Sequence, residues 1–231
     1  MASTLKTALD KLSIINQSLS LIGSERVQLS ALTDTGTIKD QAILHYDPAV
    51  QELTRMHAWN CCKHRTEITE GGGVDASLPF AHDWGVPADT QRVLYVTGSS
   101  TESSVRPKTD FAVLTDFVAD GSSSIKIIST DNAGDASNSN KLYLQHLVVP
   151  DEEDMDAMFV SCLRTLLASK LAVPVAGDVN RKFELLKYLY EKLLPEARRA
   201  NTMEGLNDPA VDQSYLETPM SPFTYKSYLK V

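Results

Sequence analysis

From Thr4 to Ile22 the apolar side chains Leu5, Leu9, Leu12, Ile15, Leu19 and Ile22 recur every three or four residues, which aligns them along one side of a helix. Gly23 ends that helix, as glycine commonly does by taking the left-handed backbone conformation. After a polar, turn-rich stretch a second stripe begins near Thr37 and runs through Ile38, Ala42, Tyr46, Ala49, Val50, Leu53 and Met56 to Trp59. Pro48 lies inside it, and the spacing predicts one continuous helix, kinked at the proline. Past Trp59 the period changes. The runs RTEIT, RVLYVTG, FAVLTDFVA, SIKIIST and KLYLQHLVV are rich in β-branched and aromatic residues and are separated by GGG, GSSTESS, DGSSS and DNAGDASNSN. That texture predicts about five or six strands with long serine-rich loops between Lys63 and Val149.

Helical spacing returns at Asp151. The acidic run DEEDMD reads as the first turn of a helix, where carboxylates meet the positive end of the macrodipole. The stripe Met155, Met158, Phe159, Cys162, Leu166 and Leu167 continues to Leu171, where VPVAG should break it. Asp178 then caps a fourth helix whose buried face reads as Val179, Phe183, Leu186, Tyr190, Leu193 and Ala197, with Pro195 a candidate kink. Beyond Gly205 the chain keeps prolines and tyrosines but loses any period. The expected fold is therefore α+β: a four-helix bundle (residues 1–60 and 150–205) interrupted by a β-rich insertion (61–149) and followed by an extended C-terminal docking tail (206–231).

Composition narrows the function. The 231 residues are 42% hydrophobic, enough for a real core. No stretch approaches the roughly 20 apolar residues of a membrane span, so no membrane role is expected. Three cysteines, two of them adjacent, cannot build a disulfide framework, and synthesis in the cytoplasm is the simpler expectation. Thirty acidic against 22 basic side chains give a net charge of -8, which opposes any task of gripping phosphate backbones.

Candidate chemistry concentrates in HAWNCCKH, from His57 to His64. A structural zinc site needs four converging ligands from two separate turns, and this stretch supplies half of one; His82, His146 and Cys162 are scattered. Cys61 and Cys62 follow a helix C-terminus, whose dipole should raise a thiol pKa instead of activating it. The bland reading has Trp59 and one cysteine packing where the second helix meets the insertion. An enzyme would have to draw on His57, Cys61 and Asp83. Gly71 to Gly73 lack the lysine and hydroxyl of a phosphate loop, and DNAGDASNSN lacks the spacing and terminal glutamate of a calcium loop. Neither metal nor cofactor is called for.

Taken in order, several segments resemble the head-to-tail adaptor proteins of short-tailed bacteriophages, also called tail tubular protein A. ALDKLSIINQSLSLIGSERVQLSAL is similar to the family's N-terminal pattern of IN.SL..IG. HYDPAVQELTRMHAWNCC is similar to its YDP…HPWNFA helix end, contributing Tyr46, Asp47, Pro48 and Trp59, with Ala58 where proline is common. LPFAHDWGVPADTQRVLYV is similar to its LPADCLRVL turn and strand, contributing Pro87 and Asp89. The last helices resemble a pair ending in AR..N..E.

The resemblance covers most of residues 5 to 205 and implies a structural protein of the virion that is not an enzyme. It implies a homo-oligomeric ring, as a rule of twelve copies, joining the portal protein to the tail nozzle while double-stranded DNA passes without specific binding. It also implies that the Trp59 segment is a structural wedge. Burying roughly 200 Å² of tryptophan at about 25 cal/mol per Å² supplies several kcal/mol without any ligand. Tyr215, Leu216, Phe223, Tyr225, Tyr228 and Leu229 are the candidate anchors of the docking tail, and the loops 98–104 and 131–140 are candidates for nozzle contact. A neck or connector protein of a long-tailed phage is the alternative of the same structural kind.

Overall fold

A computed structural model of the chain describes residues 10–23, 29–32, 36–69, 81–98, 110–117, 124–131 and 141–205. They form a mixed α+β fold of helices and two small antiparallel sheets. The docking tail and most of the two loops named above lie outside the described residues, as do Gly71 to Gly73.

Helix α1 spans Lys11–Leu21. Leu5 and Leu9 lie outside the described residues; Asp10 is extended and its carboxylate accepts the Ser13 N–H at 2.7 Å, an N-cap that sets the first turn. Helix α2 spans Thr37–Met56 and continues through Pro48. A 3-10 turn, Asn60–Cys62, leads directly into β1, Lys63–Ile68.

After the last strand the acidic run forms a separate 3-10 turn, Glu152–Asp154, and not the first turn of the next helix. Asp156 is extended and accepts the Met158 N–H at 2.9 Å, so α3 begins at Ala157 and runs to Ala176. The break expected at VPVAG does not occur. Pro174 is accommodated within the last turns, and the helix stops only at Gly177, whose left-handed backbone (φ 68°) lets its N–H turn back onto the Val173 carbonyl.

A long rod follows. Asp178 caps α4, Val179–Tyr188; the turn Leu189–Leu193 is π-helical; and α5 continues as Leu194–Gly205. The wide turn precedes Pro195, whose ring would otherwise collide with the carbonyl one α-turn back. One extra residue in that turn offsets the buried stripe before it from the one after it, so the expected face holds from Leu193 onward and fails ahead of it. Leu193 and Ala197 are buried as expected, and Leu186 is half-buried. Val179, Phe183 and Tyr190 are 51, 62 and 48% exposed, while the rod seats Leu185, Leu189 and Leu194 in the core.

Helix α3 is the hub: α1, α2 and α4 all pack on it. By length and composition it is apolar enough to cross a membrane, contrary to the reading of the sequence, but most of it is buried among the other helices. Its apolarity reflects contact on nearly all sides.

The remaining strands are β2 (His82–Gly85), β3 (Arg92–Thr97), β4 (Phe111–Phe117), β5 (Ser124–Thr130) and β6 (Leu142–Leu147). One sheet has the order β1-β6-β3 and the other β2-β5-β4. Trp84 and Ile128, opposite each other across β2 and β5, meet Ile68, Val96, Leu142 and Leu144 of the first sheet in one small core. Alternation along β6 divides its side chains: Leu142 and Leu144 enter that core, whereas Leu147 joins the helical one.

Candidate functional site

The junction between α2 and β1 is where HAWNCCKH lies. His57 leaves α2 with an extended backbone (φ −151°), and Trp59 N–H returns to the His57 carbonyl at 3.0 Å. That reversal drives the indole inward. Trp59 is 1% exposed, donates Nε1–H to the Leu53 carbonyl at 2.8 Å, and meets Phe159 edge-to-face at 5.3 Å between ring centroids. His57 stands perpendicular to the same indole at 5.1 Å. An indole buried with its one donor satisfied and two edge contacts is a packing anchor.

Asn201, far along the chain on α5, completes the junction. Its Oδ1 accepts the Asn60 backbone N–H at 2.7 Å, and its carbonyl accepts Asn60 Nδ2 at 2.9 Å. Its own Nδ2 reaches the Ala58 carbonyl at 3.2 Å and His57 Nε2 at 3.1 Å, where it donates. Arg198, one turn earlier, donates to the Met56 carbonyl at 3.3 Å. These bonds tie the last helix to the end of α2 and the start of β1. Asn16 plays the same part at the N-terminal end, its amide pairing with both the N–H and the carbonyl of Leu29 at 2.9 Å.

The thiols do not form a reactive pair with a histidine. Cys62 is fully buried, and its sulfur lies 3.8 Å from that of Cys61 and 4.0 Å from Thr54 Oγ1. The hydrogen bond between the sulfurs, together with burial, pushes the Cys62 thiol up, out of reach of ionisation. The same bond lowers Cys61, against the expectation that both would rise. Burial pushes Cys162 up to about 11. His57 is lowered by burial first and then by Arg198, Lys63 and Arg92. Asp83, the third member of the hypothetical enzyme cluster, lies on β2 facing Ser129 of β5, within the second sheet. Among the described residues no group of three His, Cys, Asp or Glu is placed to hold a metal ion.

The other singled-out residues are dispersed. Tyr46 is buried at 2% exposure with its hydroxyl donating to Glu152 at 3.3 Å; burial, then that carboxylate, raises its pKa. Lys11 reaches Asp47 at 2.7 Å and lies over the Tyr46 ring at 4.4 Å, so the Tyr46–Asp47–Pro48 turn of α2 holds the start of α1. Pro87 opens the turn before β3, its carbonyl accepting the Thr90 N–H at 3.1 Å, and Asp89 is exposed in that turn. Thr90 in turn bonds His146 Nδ1 at 2.7 Å while Thr66 bonds Nε2 at 3.0 Å, and burial lowers the pKa of this histidine. This paired, buried imidazole of β6 links β1 to the turn that precedes β3.

No family model matches the chain, and no curated protein does. Asn60 and Asn201 are the residues that sequence reasoning passed over. The signal was present: Asn60 is the N of the WN helix end and Asn201 the N of AR..N..E, two strings that the resemblance picks out separately.

Proposed function

We propose that the chain is a structural head-to-tail adaptor of a phage virion. In this reading it is a four-helix bundle, interrupted by its sheets and followed by a docking tail. As a ring of twelve copies it joins the portal to the tail nozzle and lets double-stranded DNA pass without specific binding. The observation that carries the reading is the Asn60–Asn201 joint. Two segments that resemble the adaptor family, 141 positions apart, meet where helices give way to strands, Asn60 donating both its backbone N–H and its side-chain amide to Asn201. A part that must transmit load between neighbours attached to its helical and β regions needs its joint fixed, and a doubly bonded amide pair beside a buried tryptophan fixes it.

The chemistry of the junction fits an inert part: its loudest residues are spent on packing and on backbone hydrogen bonds. The net charge of -8 favours free passage of DNA, because each cationic contact to phosphate would add salt-dependent affinity. Tyr215, Leu216, Phe223, Tyr225, Tyr228 and Leu229 supply the aromatic and aliphatic anchors by which an extended segment grips a partner. The test is deletion from Asn207 onward. The truncated protein should keep its helical circular dichroism and unfolding midpoint yet fail to be retained by immobilised portal protein, and full retention would remove the docking-tail assignment.

A further inference from the structure

One helix face of this molecule carries apolar side chains that nothing among the described residues covers. On α4 and the π-turn after it, Val179, Phe183 and Tyr190 share that face with half-buried Leu186, at spacings of four, three and four residues. Phe183 is 62% exposed, on a helix whose other side seats Leu185 and Leu189 in the core, and an aromatic stripe left in water calls for an occupant.

The chain supplies one of the right reach. Helix α4, the π-turn and α5 follow one another without a break, and residues 206–231 begin where this rod ends, at Gly205. At the helical rise of about 1.5 Å per residue, Phe183 lies about 33 Å back along the rod from Gly205. An extended segment turning back at about 3.3 Å per residue covers that distance in about ten residues. Tyr215 and Leu216 stand at that separation, the first aromatic side chain after Gly205 and its apolar neighbour.

The charges follow the same register. The rod carries six cations and four acids, in a chain whose acids outnumber its cations 30 to 22. Arg181 is spent on the Leu21 carbonyl and on Glu184, and Arg198 on the Met56 carbonyl. Glu191 and Glu196 each have a cation three or four residues away, at Lys187 and Arg199. Lys182 and Lys187 flank the apolar stripe on its two sides. Residues 206–217 hold Asp208, Asp212 and Glu217 and no cation. On the spacing above, Asp208 falls near Arg199, Asp212 between Lys187 and Lys192, and Glu217 about one turn from Lys182.

We infer that the occupant is the chain's own segment 206–217, folded back antiparallel along the rod so that Tyr215 and Leu216 cover Phe183. A free partner must be captured from solution, whereas a tethered segment meets the face at a millimolar effective concentration, so even a weak contact is populated. For the same reason proximity, and not the unfolding midpoint, is the quantity that reports it. The contact goes beyond the adaptor reading, since it belongs to the isolated chain. Seated there, Tyr215 and Leu216 are withheld from any partner until that partner displaces them.

The test places Asn180→Cys at the exposed rim of the face in the full chain, together with Ser214→Cys or, as a control beyond the register, Ser227→Cys. Each protein is treated with a short bismaleimide, and wild-type protein with its half-exposed Cys61 gives the background. Mixing ordinary and isotope-labelled chains lets mass spectrometry separate links within a chain from links between chains. Links within a chain between positions 180 and 214 should exceed those between 180 and 227 several-fold. Adding Phe183→Glu, at a side chain mostly in water, should bring the first yield down to the second while circular dichroism stays unchanged. Equal yields from 214 and 227, no link at 214, or a yield unmoved by Phe183→Glu would each overturn the inference. Links formed mainly between chains would overturn it in favour of a second copy as occupant. Retention by immobilised portal protein reads the adaptor proposal separately, so the two can fail independently.

Discussion

Around α3 the helices merge into one cluster of 28 buried apolar residues, whereas the two sheets share a core of six among the described residues. The polar groups buried in the two regions fare just as differently. In the helical region Ser18, Thr54, Thr165 and Ser169 all donate to a helix carbonyl, and the Trp59 indole has its acceptor. In the sheets both oxygens of Asp83, the Trp84 indole nitrogen and the Ser129 hydroxyl are buried without a hydrogen-bond partner among the described residues. Unpartnered buried polar groups each cost about 1–3 kcal/mol. The sheets draw support from the helical region through Leu147 and Cys62, which belong to the strand end and the strand entrance but lie in the helical core.

The strongest way to break this contrast is at the wedge. Trp59→Ala removes the contacts to Phe159 and His57 and opens a cavity at the junction, so stability should fall by about 3–5 kcal/mol in urea unfolding, with helical and sheet signals lost together. Asn201→Ala comes next. It strips the partner from the Asn60 N–H and should cost about 1–3 kcal/mol. It should also part the two regions, so that near-ultraviolet signals of the sheets are lost at lower urea than the helical signal. If the two signals stay coincident in Asn201→Ala, the joint does not couple the regions.

Asp83→Val sharpens the comparison from the other side. Exchanging a carboxylate without a partner for a β-branched apolar side chain in a strand should stabilise the sheet region by on the order of 1–2 kcal/mol, read as a raised unfolding midpoint. A loss would mean that the carboxylate has a stabilising role in the folded protein.

The smallest effect is the pH response. Burial lowers His146 and His57 below their ordinary value of 6.5, so the unfolded chain takes up protons more readily than the folded one. Their contribution is complete above that ordinary value and is lost as the pH falls below it toward the folded pKa values. Unfolding midpoints measured from pH 7.5 down to 5 should decline, and His146→Gln should flatten part of that slope.

Much of this was legible in the sequence, for physical reasons that also mark the limit. The stripes of α1, α2 and α3 could be read because each packs one face, or nearly every face, against neighbours, and the change to β-rich runs after Trp59 located β1, β3, β4, β5 and β6 but not the four-residue β2. The rod of α4 and α5 was misread because a stripe at α-helical spacing assumes constant rotation per residue, and the π-turn ahead of Pro195 adds a residue. Asp10, Asp156 and Gly177 moved helix ends through local capping geometry that spacing does not encode. At the junction, Trp59 stood out through size alone. Asn201 did not, because its partners lie at Asn60, Ala58 and His57, and only folding brings them together. The unpartnered carboxylate of Asp83 was equally invisible, since a strand written HDWG does not say which side chains close over it.

The most direct measurement of the central claim is negative-stain imaging of the purified full chain, alone and mixed with portal protein. Closed rings with an open centre, seated coaxially on the portal, are the expected result. Separate monomers that leave the portal bare at concentrations well above those in an infected cell would contradict it.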